Sequence, residues 1–212
     1  MRDMRINRTF EGSTEIMHLL IAREAVDTHL QVAGDVLDSE TALGDKAKAA
    51  VASAAFYAKW APKLVVGEGN KPRAYDEFGD LATYLRYVER SSRKLARSTF
   101  YAMGRWQAKL EQRQSFLGRI VDIGAELFAI SAAVVYAETI AQETPERADA
   151  ARELAALFCA QAKRRSEGLF HDLWANDDDA GYKAAVALLD GRYEWIEEGV
   201  LDPSGEGPIL PS

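Results

Sequence analysis

The chain contains a single cysteine, Cys159. No disulfide can therefore form within it, and a reducing compartment is expected. No uninterrupted apolar run reaches the roughly 18 residues that a membrane span needs. The N-terminal arginines are not followed by the apolar segment and cleavage site of a signal peptide. These absences together predict a cytoplasmic protein.

An excess of basic charge is also lacking. The 33 acidic and 26 basic residues give a formal net charge of −7. Nucleic-acid binding requires a basic face for the phosphates, so this balance argues against nucleic acid as a partner. Apolar residues make up 48% and charged residues 28% of the chain, which is typical of a globular protein rather than a disordered one.

No strand pair and no internal repeat stand out, whereas apolar residues recur at helical spacing almost throughout. The pattern predicts an all-α helical bundle of about five to six helices, including one or two long ones. The first helix begins at Ser13 or Thr14. The second is predicted over 39–66, with Pro62 near its end, and its apolar face is formed by Leu43, Ala47, Ala50, Val51, Ala54 and Ala58.

A third, long helix is predicted from Tyr75, after a loop over Gly67–Arg73. Its residues form a heptad seam, namely Phe78, Leu81, Leu85, Val88, Ser92, Leu95, Thr99, Ala102 and Trp106. The pattern falters at 111–115, and both a turn and a continuous helix remain open there. It resumes at Phe116, Ile120, Ile123, Leu127, Val134 and Glu138. Later helices are predicted to begin at Thr144-Pro145 and at the acidic run 177–179, the second ending at Gly191.

The residues next to Glu11 suit a catalytic carboxylate. Glu11 precedes Gly12 and the start of a helix. Glycine allows a ligand to approach the backbone closely, and the N–H groups at a helix start can bind an anion. A carboxylate beside an anion site suits removal of a proton next to a carbonyl. The alternative is an exposed acidic residue that the helix dipole favours.

The segment RINRTFEGSTEIMHLLIARE, residues 5–24, resembles the C-terminal signature of flavin-dependent acyl-CoA dehydrogenases. The residues in matching places are Arg2, Asp3, Arg5, Ile6, Phe10, Glu11, Gly12, Glu15, Ile16, Ile21, Ala22 and Arg23, with Ser13 in place of a threonine. The resemblance implies FAD as cofactor and a role in fatty acid β-oxidation. It also implies that Glu11 is the catalytic base, that Gly12 contacts the substrate, and that Ser13 and Glu15 contact the flavin dinucleotide. Glu15 stands where some members have glutamine.

Residues 114–165 resemble the extra C-terminal helical domain of the very-long-chain acyl-CoA dehydrogenases. The resemblance divides the chain into 1–36, the end of the family's C-terminal helical domain, 37–198, the helical extension, and 199–212, an extended or disordered tail. The family's N-terminal and middle domains have no counterpart here. A truncated oxidoreductase is therefore expected, inactive alone, whose complete form is a homodimer that binds acyl-CoA and an electron-transfer partner. The alternative is a non-catalytic helical docking or dimerisation module.

Other patterns favour structural roles. Glu15 and His18 have the spacing of a di-iron ligand pair but no second copy, so no metal is expected. Cys159 lies in an apolar run and is predicted to be buried and inert. The basic cluster Lys163–Arg165 is predicted to be a solvated helix face rather than a phosphate site. The late aromatic residues favour core or subunit contacts over a peripheral membrane contact, and they are Trp174, Tyr182, Tyr193 and Trp195.

Overall fold

The computed structural model describes residues 13–14, 16–24 and 43–199. Within these ranges the chain is all-α, with no strand and six α-helices, as the periodicity predicts. The helices are α1 (residues 16–24), α2 (Leu43–Trp60), α3 (Ala82–Trp106), α4 (Gln114–Glu143), α5 (Ala148–Asp172) and α6 (Asp178–Leu189). The chain forms two compact units, Met1–Trp174 and Ala175–Ser212, and the predicted domain boundary at residue 36 lies outside the described residues.

The core of the larger unit is formed by α3, α4 and α5. The helices α4 and α5 run antiparallel, because Glu126 pairs with Arg165 while Glu138 pairs with Arg152. At one end of this contact the side chains are small or branched, which lets the two helices approach closely. At the other end the side chains are larger. The buried residues are Leu81, Ile130, Val134, Ala137, Ala155, Cys159 and Ala162 in one cluster, and Ala22, Ala102, Leu110, Phe116, Leu117, Ile120, Val121, Ile123, Leu127, Phe170 and Leu173 in the other.

Helix α4 is long and apolar enough to cross a membrane by length and composition alone. A core helix of a globular protein meets the same criterion, and α4 occupies that position. Its buried side chains, which include Ile123, Ile130 and Val134, belong to the clusters shared with α3 and α5. The predicted apolar positions of this helix are therefore confirmed as core positions.

Helix α3 confirms most of the predicted seam. Leu81, Thr99 and Ala102 are buried, but Ser92 is exposed and the preceding Ser91 is buried instead. The predicted seam is thus wrong at Ser92, and it agrees with the structure again at Thr99 and Ala102. The helix also begins later than predicted, because the chain has positive φ at Tyr75 and Gly79 and forms a 3₁₀ helix over Asp76–Leu81.

The chain turns between α3 and α4, which settles the alternatives left open at 111–115. Gln107 has φ 48°, and residues Gln107–Gln112 form a 3₁₀ helix. The turn is covered by aromatic rings: the centroid of Trp106 lies 4.8 Å from that of Phe116 and 5.8 Å from that of Trp174. The first three residues of the polar run 111–115 thus belong to a bend, and α4 begins within the run at Gln114.

The predicted apolar face of α2 is wrong where the structure describes it. Val51 is 72% exposed, and Ala50, Ala54 and Ala58 are exposed as well. The contacts come from rings on another side of the helix: Tyr57 and Trp60 each lie 5.3 Å from Phe100 of α3. Aromatic rings bury far more area than alanine, so they decide which side faces α3. The helix ends before Pro62, as predicted.

The predicted loop at 67–73 is bound tightly to α3. The N–H of Gly69 donates to Glu89 Oε2 at 2.6 Å, and Arg90 Nη1 donates to the carbonyl of Gly69 at 2.7 Å. A Cβ atom on Gly69 would lie 2.8 Å from the carbonyl oxygen of Arg86. Only glycine therefore allows this close approach of loop and helix.

Helix α6 of the smaller unit follows the prediction. Asp178 and Asp179 lie in its first turn, where the helix dipole favours negative charge. The chain leaves the helix through Gly191, which has φ 80°. Tyr182 and Trp195 are exposed, so neither ring makes a core contact in the unit as described, and the predicted alternative of a subunit contact stays a prediction.

We expect Gly69→Ala to destabilise the larger unit by about 1–3 kcal/mol, because the new methyl group must displace backbone or the bonded Glu89 side chain. Gly104→Ala in α3 is the matched control, since a Cβ there meets nothing within 4 Å and alanine favours helix. Urea unfolding followed by circular dichroism measures both. Equal stability of the two variants would contradict the close approach.

Candidate active site

Of the residues that the sequence assigns to the site, the structure describes Ser13. Glu11, Gly12 and Glu15 lie outside the described residues. The Ser13 carbonyl accepts the N–H of Met17 at 3.0 Å, so Ser13 directly precedes the first turn of α1 and is one of the two capping positions predicted. Its side chain is half-buried. The structure thus shows the helix that follows the glutamate-glycine motif, and the motif itself stays a prediction.

Helix α1 is anchored on the first half of α4. Ala22 is 2% exposed and packs with Leu19 in the large apolar cluster. His18 Nε2 lies 3.5 Å from Asp122 Oδ1. The ring of His18 also rests above Gly118, where a Cβ would lie 3.9 Å from Nδ1. One face of α1 thus belongs to the core of the larger unit.

The other face of α1 is apolar and exposed. We call Ile16, Met17, Leu20 and Ile21 the α1 apolar face, and each of these side chains is 40–60% exposed. Four adjoining apolar side chains at the surface of one short helix are characteristic of a contact with another protein surface. The helix that follows the motif therefore holds the larger unit on one side and presents an apolar surface on the other.

His18 has a carboxylate partner on another helix. His18 lies on α1, and its ion-pair partner among the described residues is Asp122 of α4. Within residues 13–14, 16–24 and 43–199, no group of three histidine, cysteine, aspartate or glutamate side chains could hold a metal ion. The arrangement fits a histidine that ties two helices together.

Cys159 is fully buried, as predicted. Its Sγ lies 3.8 Å from the carbonyl oxygen of Ile130 on α4. Desolvation by burial raises the pKa of the Cys159 thiol to about 11. A thiol that stays protonated at neutral pH and cannot reach solvent is a packing residue and not a nucleophile.

The basic cluster on α5 is partly neutralised within the unit. Arg165 donates to both carboxylate oxygens of Glu126, at 2.6 and 2.9 Å, and this bond raises the pKa of its guanidinium. Lys163 Nζ lies 3.8 Å from Glu167 Oε1 and 5.2 Å from the ring centre of Tyr87. These contacts support the predicted structural role of Lys163 and Arg165.

Two cavities on α3 were not predicted from the sequence; one lies between α3 and α5, and the other between α3 and Trp174, which follows α5. One of about 340 Å³ is lined in part by Arg90, Lys163 and Arg164, and one of about 460 Å³ by Lys94, Arg97 and Arg105. Neither is lined by Ser13 or by residues of α1. The spacing of three and four residues between basic side chains of α3 was the signal that could have predicted a basic face.

Comparison with known proteins supports the family resemblance. The chain is 60% identical, over its whole length, to probable acyl-CoA dehydrogenases named FadE10 from Mycobacterium bovis and Mycobacterium tuberculosis. It spans about a third of the length of these curated relatives, since the match covers 33% of each. No protein-family profile and no solved structure matches the chain. The chain is thus related throughout to one part of a probable acyl-CoA dehydrogenase.

Cys159 should react slowly with thiol reagents in the native chain. With its pKa raised from 9.0 to about 11, the thiolate fraction at pH 8 falls about 100-fold, before burial slows access further. Stability should also decline as pH rises from about 9 to about 11, because the unfolded chain loses the thiol proton first. Labelling with Ellman's reagent, native and in urea, measures the first effect; equal rates would contradict it.

Ala22→Glu should detach α1 from α4, because a buried carboxylate without a partner costs several kcal/mol. We expect amide exchange in residues 16–24 to accelerate by about tenfold or more, while residues 127–135 stay protected. Leu20→Glu, on the exposed side of the same helix, is the control and should leave exchange nearly unchanged. Equal effects of the two substitutions would show that α1 is not held through Ala22.

Proposed function

We propose that the chain is the C-terminal part of a flavin-dependent acyl-CoA dehydrogenase of the type with an extra C-terminal helical domain. It would contribute the catalytic base to the α,β-dehydrogenation of a fatty acyl-CoA. The observation that carries this proposal is the 60% identity over the whole chain to one third of a probable acyl-CoA dehydrogenase. The dense match at residues 2–23 to the family signature supports the same assignment.

Glu11 is the base in this proposal. A carboxylate beside the thioester α-carbon removes a proton that is only weakly acidic, so hydrogen bonds to the carbonyl oxygen must stabilise the developing enolate. Gly12 leaves room for the acyl-CoA to lie against the backbone. When bound, the flavin would accept the hydride from the β-carbon. The product is a 2-enoyl-CoA.

The position of Ser13 supports a flavin dinucleotide at the start of α1. Ser13 combines a half-buried hydroxyl with the first backbone position of a helix. The N–H groups of a first helical turn have no acceptor within the helix and favour an anion such as a pyrophosphate. Ser13 would hold this group together with Glu15, whose role rests on the family resemblance alone.

The α1 apolar face supports a partner domain. Because α1 is fixed to α4 through Leu19 and Ala22, its exposed side chains have a defined position on the surface of the larger unit. In the proposed enzyme they would pack on the flavin-binding and middle domains, which this chain does not supply. The 212-residue chain would then fold without flavin and show no turnover. The complete enzyme would be a homodimer in the cytoplasm, served by an electron-transfer partner.

A second candidate is a helical docking module without catalysis, which the same exposed apolar face favours. The two candidates differ in the role of Glu11. For a base, loss of the carboxylate abolishes turnover while binding survives, whereas for a docking module Glu11 only begins a helix. The base is the better supported assignment, because docking alone does not require the glutamate-glycine pair before the helix.

In the complete enzyme, assembled by joining this chain to the remaining domains of the FadE10 relative, we expect Glu11→Gln to lower turnover by about 10²–10⁴-fold. The amide has the shape of the carboxylate but cannot accept the α-proton. Acyl-CoA-dependent dye reduction measures turnover, and flavin absorbance with acyl-CoA titration checks that both ligands still bind.

Glu24→Gln is the matched control, because Glu24 is an exposed carboxylate of α1 and should leave turnover within about twofold, as exposed substitutions generally do. A Glu11→Gln enzyme that turns over within threefold of the wild type would assign Glu11 to the helix start and not to catalysis.

A further inference from the structure

The cavity of about 460 Å³ has an unusual set of side chains. Lys94, Arg97, Ser98, Tyr101 and Arg105 line it from one face of α3, since residues three and four apart are neighbours on a helix. Trp174, which follows α5, completes the lining. Its volume falls in the range of roughly 300–1,000 Å³ that small-molecule sites occupy.

The three cations of the cavity lack a carboxylate partner among the described residues. Lys94 Nζ lies 4.2 Å above the ring of Phe170, and the guanidinium carbon of Arg105 lies 5.6 Å from the ring centre of Trp106. Arg97 donates to the carbonyl oxygen of Leu64. No acidic residue lines the cavity. A concentration of positive charge has thus formed in a chain whose net charge is −7.

Aromatic surface adjoins the cations. Tyr101 and Trp174 meet edge to face, with centroids 5.2 Å apart and planes at 73°. Tyr101 is 58% and Trp174 40% exposed. Part of both rings therefore remains accessible, and an exposed ring beside arginines can stack with a planar ligand group. The site offers anion recognition and stacking at once.

We propose that this cavity binds a nucleoside diphosphate or triphosphate. The phosphates would be bound by Lys94, Arg97 and Arg105, and the base would lie against Tyr101 and Trp174. Three cations match a multivalent anion, whereas a single carboxylate would neutralise only one of them. The forked guanidinium group suits phosphate oxygens in particular. The neighbouring cavity is less suited, because Glu167 lines it beside Lys163.

Isothermal titration of the 212-residue chain with ADP, pyrophosphate and adenosine tests this site. ADP should bind more tightly than either pyrophosphate or adenosine, since each of these satisfies only one half of the site. Quenching of tryptophan fluorescence by ADP should be reduced in Trp174→Phe. No binding of ADP at about 1 mM, or equal binding of ADP and pyrophosphate, would overturn the proposal.

Substituting the basic residues of the cavity tests whether ADP binds at this site or is attracted by the positive charge of the chain in general. Lys94→Gln with Arg105→Gln should weaken ADP binding by about tenfold or more, because each removes a charged hydrogen bond. Lys59→Gln with Lys63→Gln is the control: it removes the same charge from exposed positions on and after α2 and should change binding less than about twofold. Circular dichroism confirms the fold of each variant. An equal loss in both pairs would overturn the site.

Discussion

The contact between α4 and α5 determines the rest of the structure. Small residues on α5, Ala155, Cys159 and Ala162, lie against Ile130 and Val134 of α4, and close packing of this kind depends on every methyl group. Two ion pairs, Glu126–Arg165 and Glu138–Arg152, fix the register of the antiparallel pair. Only with this pair in place does α4 have one side for α3 and another for α1.

The core positions of α4 could be predicted from the sequence because their burial follows the helical period. Ile123, Leu127 and Val134 are predicted core residues that the structure buries. The face of α2 could not be predicted by the same rule, because alanines set the period while the rings of Tyr57 and Trp60 make the contact. A periodic pattern gives every apolar residue the same weight, whereas packing depends on the apolar surface area that each side chain buries.

The candidate site was accessible to sequence reasoning by a different route. Glu11 and Gly12 are singled out by their neighbours and by family resemblance, which requires no knowledge of packing. The anchoring of α1 was not predicted, because it depends on Gly118 and Asp122, about a hundred residues away from His18 in the chain. A contact between distant segments leaves no periodic signal in either segment.

The charges of α3 distinguish two faces of the same helix. On the face toward the 67–73 loop, Arg93 pairs with Glu89 and also donates to Asn70 Oδ1 of the loop at 3.1 Å, while Arg86 lies 3.6 Å from Asp76. On the face toward α5, Lys94 and Arg105 contact rings and have no carboxylate among the described residues. Near the loop, carboxylates of the fold itself neutralise the arginines, whereas the face toward α5 lacks such partners among the described residues. The unneutralised face therefore points to an anion from outside the chain.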